Sequence, residues 1–351
     1  MRARTKWLVI GGLILCGIIA CVFVGTPRQP RYQGRALDEW LGDLSSSNYR
    51  TQAIARIAIK EIGPAAVPFL TNSLAQRNAV SLRIYRKNIF PRRIVNWVHQ
   101  MTPIQAPVME SQNAAVALQM LGPQATNAIP ALIAAMDDTA VIVAQQAGQA
   151  LGAMGSNAVP AISERLSKAD ASELPRLLQV VSLLGTNAAP MAPKIAPLLL
   201  EDGNAVWAFA QGALGRMGGA AVPEVARYLQ NTNQKVQLRA LAALTQIGLP
   251  AAFATNALIP LTTNENAQIR LQARQAFCAI MPSREIGTPV WLAGLDDSDS
   301  RNVEICLRQL TIYPTNVRMY NREIARLASH PTNSIRQIAS NALTMFRAWP
   351  K

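Results

Sequence analysis

A short segment that opens with glycine and closes with proline recurs along this chain of 351 residues. From Gly122 onward the matching glycines are Gly155, Gly185, Gly218 and Gly248, which follow one another at intervals of 30 to 33 residues. A regular spacing of this size is typical of repeat proteins, in which each repeat is one small unit stacked on its neighbours. The chain is therefore expected to fold by stacking similar units and not around one central core.

The residues around each glycine predict what one unit looks like. Ala240 and Leu244 lie on one face of an amphipathic helix that ends before Gly248. Glycine can adopt the positive φ needed to leave the helix, and the later proline falls in the first turn of the next helix. Asn157 or Asn187 is predicted to cap that next helix. Each unit is thus predicted to be an antiparallel pair of helices.

Composition supports an all-α fold. Half of the residues are hydrophobic while only 5% are aromatic, which suits helices rich in Ala and Leu that pack closely. No stretch shows the alternation of a strand or the turn residues of a hairpin. We predict an α-solenoid of about nine stacked antiparallel helix pairs over residues 36–350, with degenerate pairs at its C-terminal end.

The N-terminus has the pattern of a membrane anchor. Residues 1–6 carry three basic side chains, and residues 7–24 form an uncharged apolar run that reaches the lower length limit for crossing a bilayer. We therefore predict a cytoplasmic tail at 1–6, a transmembrane signal-anchor helix at 7–24 and a linker at 25–35. This single-pass topology places the repeats on the periplasmic or extracytoplasmic side of the cytoplasmic membrane.

Three alternatives for this segment remain open at this point. It can be a cleaved signal peptide. It can also end in a lipidated Cys21, because the preceding Ile18, Ile19 and Ala20 loosely resemble a bacterial lipobox. Basic residues that follow the apolar run weaken the charge asymmetry, so a scaffold facing the cytoplasm is the third alternative.

The repeat fails once, between Gly63 and Gly122. Residues 77–110 in this interval form a basic and aromatic insertion close in sequence to the predicted membrane segment. Such side chains suit the interface of a bilayer with anionic headgroups, and the alternative is a solvated hairpin packed on the first units. The residues predicted to contact the membrane surface are Arg83, Tyr85, Arg86, Lys87, Arg92, Arg93 and Trp97.

The charge distribution disfavours nucleic acid as a partner. The formal net charge is +14, but six basic and no acidic residues precede Leu37, and six more with no acid lie between Gln76 and Gln100. The remaining chain is nearly neutral. A solenoid that binds nucleic acid would carry positive charge along its length, so no nucleic-acid partner is predicted.

Residues able to support catalysis or bind metal are few. The two histidines, His99 and His330, are far apart in sequence, and Cys278 and Cys306 lack metal-ligand spacing. The acidic clusters, such as residues 296–299, fall between helices, where helix capping explains them better than calcium. We therefore predict no enzymatic activity, no metal and no cofactor.

The helix before Gly248 resembles the second helix of a HEAT repeat. Val236, Arg239, Ala243 and Leu244, followed by Ile247 and Gly248, resemble the characteristic residues of the second helix in the short HEAT repeats named after phycobilin lyases. Residues 32–41 are similar to the entry segment of bacterial membrane-anchored HEAT-like proteins. The resemblance implies a HEAT-like superhelix that serves as an interaction scaffold. Other helices carry Gln146, Phe209 or Asn113 at the arginine position, so the Asp–Arg ladder of the family is expected to be mostly absent.

These observations predict a non-catalytic, membrane-tethered scaffold that binds an unknown protein partner in a groove lined by the second helices. The residues predicted to line the groove are polar and uncharged, which suits a protein or peptide partner. They are Gln146, Gln149, Gln179 and Gln211. Trp207 and Phe209 are either core residues or an exposed anchor for that partner. The alternative function is that of a HEAT-type accessory lyase or chaperone, which would carry a bound chromophore.

Overall fold

The structure is a computed structural model that describes residues 29–75, 105–203, 205–281 and 283–347. The predicted cytoplasmic tail, the predicted transmembrane helix and Cys21 lie outside the described residues. In the described ranges, no helix combines the length and the apolar character needed to cross a bilayer.

The chain divides into two compact units, residues 1–150 and 151–351. Helices dominate the described part of both, as predicted, with one exception. Strands β1 (Arg31–Tyr32) and β2 (Arg35–Ala36) pair antiparallel around Gln33 and Gly34, whose φ values are both positive. The prediction that the chain has no strands is wrong here, because strands of two residues are too short to show alternation.

The helices of the first unit begin directly after this hairpin. They are α1 (Leu37–Asp43), α2 (Tyr49–Ile62), α3 (residues 67–75), α4 (Gln105–Leu121), α5 (Ile129–Ala135) and α6 (Val141–Ala153), whose last three residues belong to the second unit. Helix α2 packs on α1 and on α4, and α4 also contacts α1. The even-numbered helices here are the second helices of their pairs.

The second unit repeats one arrangement from end to end. Its helices are α7 (Val159–Lys168), α8 (Leu174–Leu184), α9 (Ala192–Ile195), α10 (Val206–Met217), α11 (Val222–Ala226), α12 (Gln234–Ile247), α13 (Thr255–Leu258), α14 (Ala267–Ala279), α15 (Arg284–Ala293), α16 (Ser300–Thr311), α17 (Pro314–Met319), α18 (Asn321–Arg326) and α19 (Asn333–Arg347). The second helices pack in series: α8 on α10, α10 on α12, α12 on α14, α14 on α16 and α16 on α19. Each first helix packs on the second helix of its own pair. The predicted all-α stack of helix pairs is confirmed.

The repeat glycines adopt a backbone conformation that other residues avoid. All six repeat glycines have φ between 53° and 70°. They are Gly63, Gly122, Gly155, Gly185, Gly218 and Gly248. The predicted positive φ is therefore confirmed. At Gly185 and Gly248, however, ψ is −129° and −138°, far from the ψ of about +47° in the left-handed helical region. This explains why glycine holds the position, since asparagine tolerates the left-handed helical region and not this one.

Helix capping differs from the prediction. Helix α7 begins after Ala158, which has αR geometry and no side-chain cap, and the Asn187 amide donates to the Leu184 carbonyl at 3.2 Å. A 3-10 turn leads from each glycine into the next helix, so no extended residue is available for a cap. The observed asparagine caps stand before second helices, for example Asn48 before α2 and Asn233 before α12.

Glycines inside helices set how closely neighbouring second helices approach. A Cβ on Gly152 in α6 would lie 2.6 Å from the Leu183 Cβ on α8, and a Cβ on Gly215 in α10 would lie 2.5 Å from the Gln246 Cδ on α12. The Leu183 Cβ is fixed to its backbone, so a larger residue at Gly152 would force α6 and α8 apart. The exposed Gln246 side chain is flexible and can move away from a Cβ on Gly215. Close packing of small residues explains how the stack buries its core with few aromatic side chains.

Candidate interaction surface on the second helices

Each second helix divides into buried and exposed positions that can be counted back from its glycine. In α12 the residues one, four, five and eight positions before Gly248 are buried, namely Ile247, Leu244, Ala243 and Ala240. The position six residues before the glycine lies on the opposite side. We call the residues six and nine positions before the glycine the outward face of the second helices; the ninth position is buried at Asn113 and Arg239.

In the first unit, two predicted groove residues lie on the outward face. Gln149 is exposed and stands six residues before Gly155, while Gln146 is half-buried and stands nine residues before it. Both side chains belong to α6, where no residue is charged. This part of the outward face is polar and neutral.

In the second unit, only one of the two predicted groove residues lies on the outward face. Gln179 in α8 is exposed and stands six residues before Gly185. Gln211 in α10 is half-buried and stands seven residues before its glycine, where α8 and α12 place the fully buried Leu178 and Leu241. Gln211 therefore belongs to the packed side of its helix, and the sequence prediction missed this one-residue difference in register.

An arginine and a tryptophan form the edge of the same face. The Arg239 guanidinium donates to the Leu199 carbonyl at 2.7 Å and also contacts the Asp202 carboxylate. It lies 4.6 Å from the ring centroid of Trp207, within the range of a cation–π interaction. Trp207 and Phe209 are both half-buried, so each contributes to packing and keeps part of its ring exposed.

A buried ionic network ties α14 to the loop that precedes α16. Asp297 accepts two hydrogen bonds from Arg270, at 2.6 and 2.7 Å, and one from Arg274 at 2.6 Å. The side chains of Asp297 and Arg274 are only 2% and 3% exposed. Asp–Arg contacts between repeats thus form at Arg239, where the HEAT resemblance places an arginine, and at Asp297 with Arg270 and Arg274.

The network determines the ionisation of Asp297. Burial alone raises the pKa of its carboxyl, but hydrogen bonds from Arg270, from the Asp299 backbone N–H and from Arg274 outweigh burial and hold the pKa at about 2. The ordinary value is 3.8. The carboxylate is therefore charged wherever the protein is folded above about pH 2.

We expect the protein to lose stability in acid through this residue. Because the folded-state pKa lies below the unfolded one, the stabilisation is complete above about pH 4 and is lost as the pH falls towards 2. Urea unfolding between pH 5 and pH 2 measures this. The decrease in the free energy of unfolding between pH 5 and pH 2 should be smaller in the Asp297→Asn variant. An equal decrease in the wild type and the variant would contradict the role of Asp297.

The remaining candidate residues have structural roles. Asp299 caps α16 by accepting from the Arg301 backbone N–H at 2.9 Å, as predicted for the acidic clusters. Burial raises the pKa of the Cys278 and Cys306 thiols to about 12, so both are protonated and unreactive. In the part of the chain that the structure describes, no three His, Cys, Asp or Glu side chains are placed to hold a metal ion.

The predicted membrane-surface residues of the insertion lie outside the described residues. They are Arg83, Tyr85, Arg86, Lys87, Arg92, Arg93 and Trp97.

Exposed apolar side chains at the turns that follow α12, α14 and α16 were missed in the sequence. They are Leu249, Phe253, Met281, Ile312 and Tyr313. Met281 stands 33 residues after Gly248, has a φ of 50° and is 73% exposed. The repeat spacing could have found it, since it holds the position of the next repeat glycine. A positive φ is uncommon at a residue other than glycine.

Comparison with known proteins shows similarity in backbone structure alone. No protein-family model and no curated protein matches the chain. It is similar to an engineered protein of known structure, with 16% identity over 90% of this chain and 99% of that chain and a TM-score of 0.38. It is also similar to Kap121p bound to Nup53p, with 11% identity over 88% of this chain and 37% of that chain and a TM-score of 0.48. At these values the matches bear on neither the function nor the partner of this chain.

Proposed function

We propose that this protein is a non-catalytic scaffold, tethered to the cytoplasmic membrane, that binds a protein partner on the outward face of its second helices. In this proposal about nine HEAT-like helix pairs form the scaffold, residues 7–24 are the tether and the repeats lie on the extracytoplasmic side. The chemical work of the scaffold is recognition, and it needs neither metal nor cofactor.

One observation carries the proposal. In the second unit, α8, α10 and α12 each end at a repeat glycine and pack in series, so their outward positions lie side by side. Repeat proteins use extended surfaces of this kind to bind other macromolecules. Gln179 offers both a donor and an acceptor without charge, and the neighbouring Trp207 and Phe209 expose part of their rings. Polar groups mixed with aromatic and arginine side chains are typical of protein interfaces.

Co-purification of the full chain from its own membranes, after crosslinking, tests this function. We expect one protein to be recovered at a constant ratio to the scaffold. Placing negative charge on the outward face through Gln149→Glu and Gln179→Glu should lower that recovery about tenfold, because an unpaired charge is costly to bury in an interface.

The matched control is Gln230→Glu, which makes the same change at an exposed residue of a first-helix segment. Its recovery of the partner should equal that of the wild type. The proposed scaffold would be contradicted if the wild type, the outward-face variant and the control variant all recovered the same amount of partner. A bound chromophore in place of a protein partner would also contradict it.

A further inference from the structure

Helix α2 has an exposed half that differs in chemistry from the rest of the outward face. Ile54 and Ile57 are 52% and 57% exposed, although they occupy the positions that Gln146 and Gln149 hold in α6. Tyr49, at the start of α2, is 81% exposed. Large apolar side chains are therefore exposed on α2 at the positions where α6 has glutamine side chains.

Three cations surround these apolar side chains. Arg50, Arg56 and Lys60 are all exposed on α2, and Glu61 is the one acidic residue of the helix. None of the three cations forms an ion pair with another described residue, and residues 1–28 and 76–104 contain no Asp or Glu. The exposed half of α2 thus combines apolar surface with three cations that form no ion pair among the described residues, against one exposed carboxylate, that of Glu61.

The position of α2 in the fold explains why this surface is open. It packs on α1 and α4 through residues that include the buried Ala55, Ala58 and Ile59. No second helix precedes it in the described chain, whereas α10 has one neighbour on each side. Among the described residues, no helix covers this half of α2.

The same helix lies where the chain arrives from its apolar N-terminal run. Strand β1 packs on α2. Only residues 25–30 separate the apolar run from β1, and six residues span at most about 20 Å. A bilayer that holds the apolar run is therefore within short reach of α2.

We infer that the exposed half of α2 rests on the headgroups of an anionic bilayer. Ile54 and Ile57 enter the interface, while Arg50, Arg56 and Lys60 contact lipid phosphates. Apolar side chains flanked by Lys and Arg are typical of interfacial helices, and each cation near an anionic surface adds to the attraction. The inference rests on the proposed tether and adds which surface faces the lipid.

The test uses the full chain, reconstituted in vesicles containing about one-third phosphatidylserine, with the photo-crosslinker p-benzoylphenylalanine at position 57. Illumination followed by intact-mass analysis measures the fraction of protein that carries a phospholipid adduct. The matched control places the same crosslinker at Gln149, which has the same position in α6 and no charged neighbour on its helix. We expect at least fivefold more lipid adduct at position 57 than at position 149.

The charges are tested in the same assay. Combining Arg50→Gln, Arg56→Gln and Lys60→Gln should lower the adduct at position 57 at least threefold, and vesicles of phosphatidylcholine alone should do the same. Equal adducts at positions 57 and 149, or adducts at position 57 to protein and not lipid, would overturn the inference while the tether stands. Vesicle flotation distinguishes the two proposals, because a chain that fails to float overturns the tether and this inference together.

Discussion

The Asp297→Ala variant should unfold with a free energy about 3–5 kcal/mol lower than that of the wild type. The substitution leaves Arg274, which is 3% exposed, without its one ionic partner among the described residues, and Arg270 loses two hydrogen bonds. An unpaired charge in a buried position is among the most destabilising changes a fold can suffer. Urea denaturation of the purified protein, followed by far-UV circular dichroism, measures the change.

The matched control is Asp202→Ala, which removes the carboxylate of the other ladder site. Asp202 is 61% exposed, and its partner Arg239 keeps its hydrogen bonds to the Leu199 and Glu201 carbonyls. Its loss of stability should be much smaller than that of Asp297→Ala. If both variants unfold at the same urea concentration as the wild type, the ladder does not stabilise the stack.

Replacing a repeat glycine should have the next largest effect. We expect Gly185→Ala to lower the free energy of unfolding by about 1–3 kcal/mol, because φ of 56° with ψ of −129° is strained for any residue with a Cβ. The added methyl group would also stand 3.7 Å from the Arg216 carbonyl, an ordinary contact, so backbone strain causes the loss. The same urea titration measures it.

Replacing a different glycine, one inside a helix, should have the opposite effect on stability. Gly212 lies inside α10, and a Cβ built there meets nothing within 4 Å. Gly212→Ala should therefore raise the free energy of unfolding by about 0.5–1 kcal/mol, since alanine loses less backbone entropy in a helix. If both substitutions destabilise alike, the repeat glycines are not special and the architecture does not depend on their conformation.

Local sequence signals predicted the helices well. Helix α12 ends at Ile247, directly before Gly248, as the glycine and the apolar period require. These features act within a few residues and need no knowledge of distant neighbours. The capping prediction failed because the 3-10 turn before α7, which the sequence pattern did not reveal, leaves Ala158 in helical geometry.

The candidate surface was harder to predict because it depends on register and on long-range pairing. Gln211 differs from Gln179 by one helical position, which is enough to move it from the outward face to the packed side. The network at Asp297 joins residues 23 and 27 positions apart in different repeats. The family pattern marks an arginine only at the position of Arg239, so it gave no signal for Arg274.

Site-specific crosslinking in native membranes tests the central claim most directly. The photo-crosslinker p-benzoylphenylalanine is placed at Gln179 on the outward face or at Glu164 on a first helix, where the glutamate side chain is 69% exposed. The proposed scaffold predicts one discrete protein adduct from position 179 and none from position 164. Adducts of equal yield at both positions, or an adduct at position 164 alone, would contradict a partner bound on the second helices.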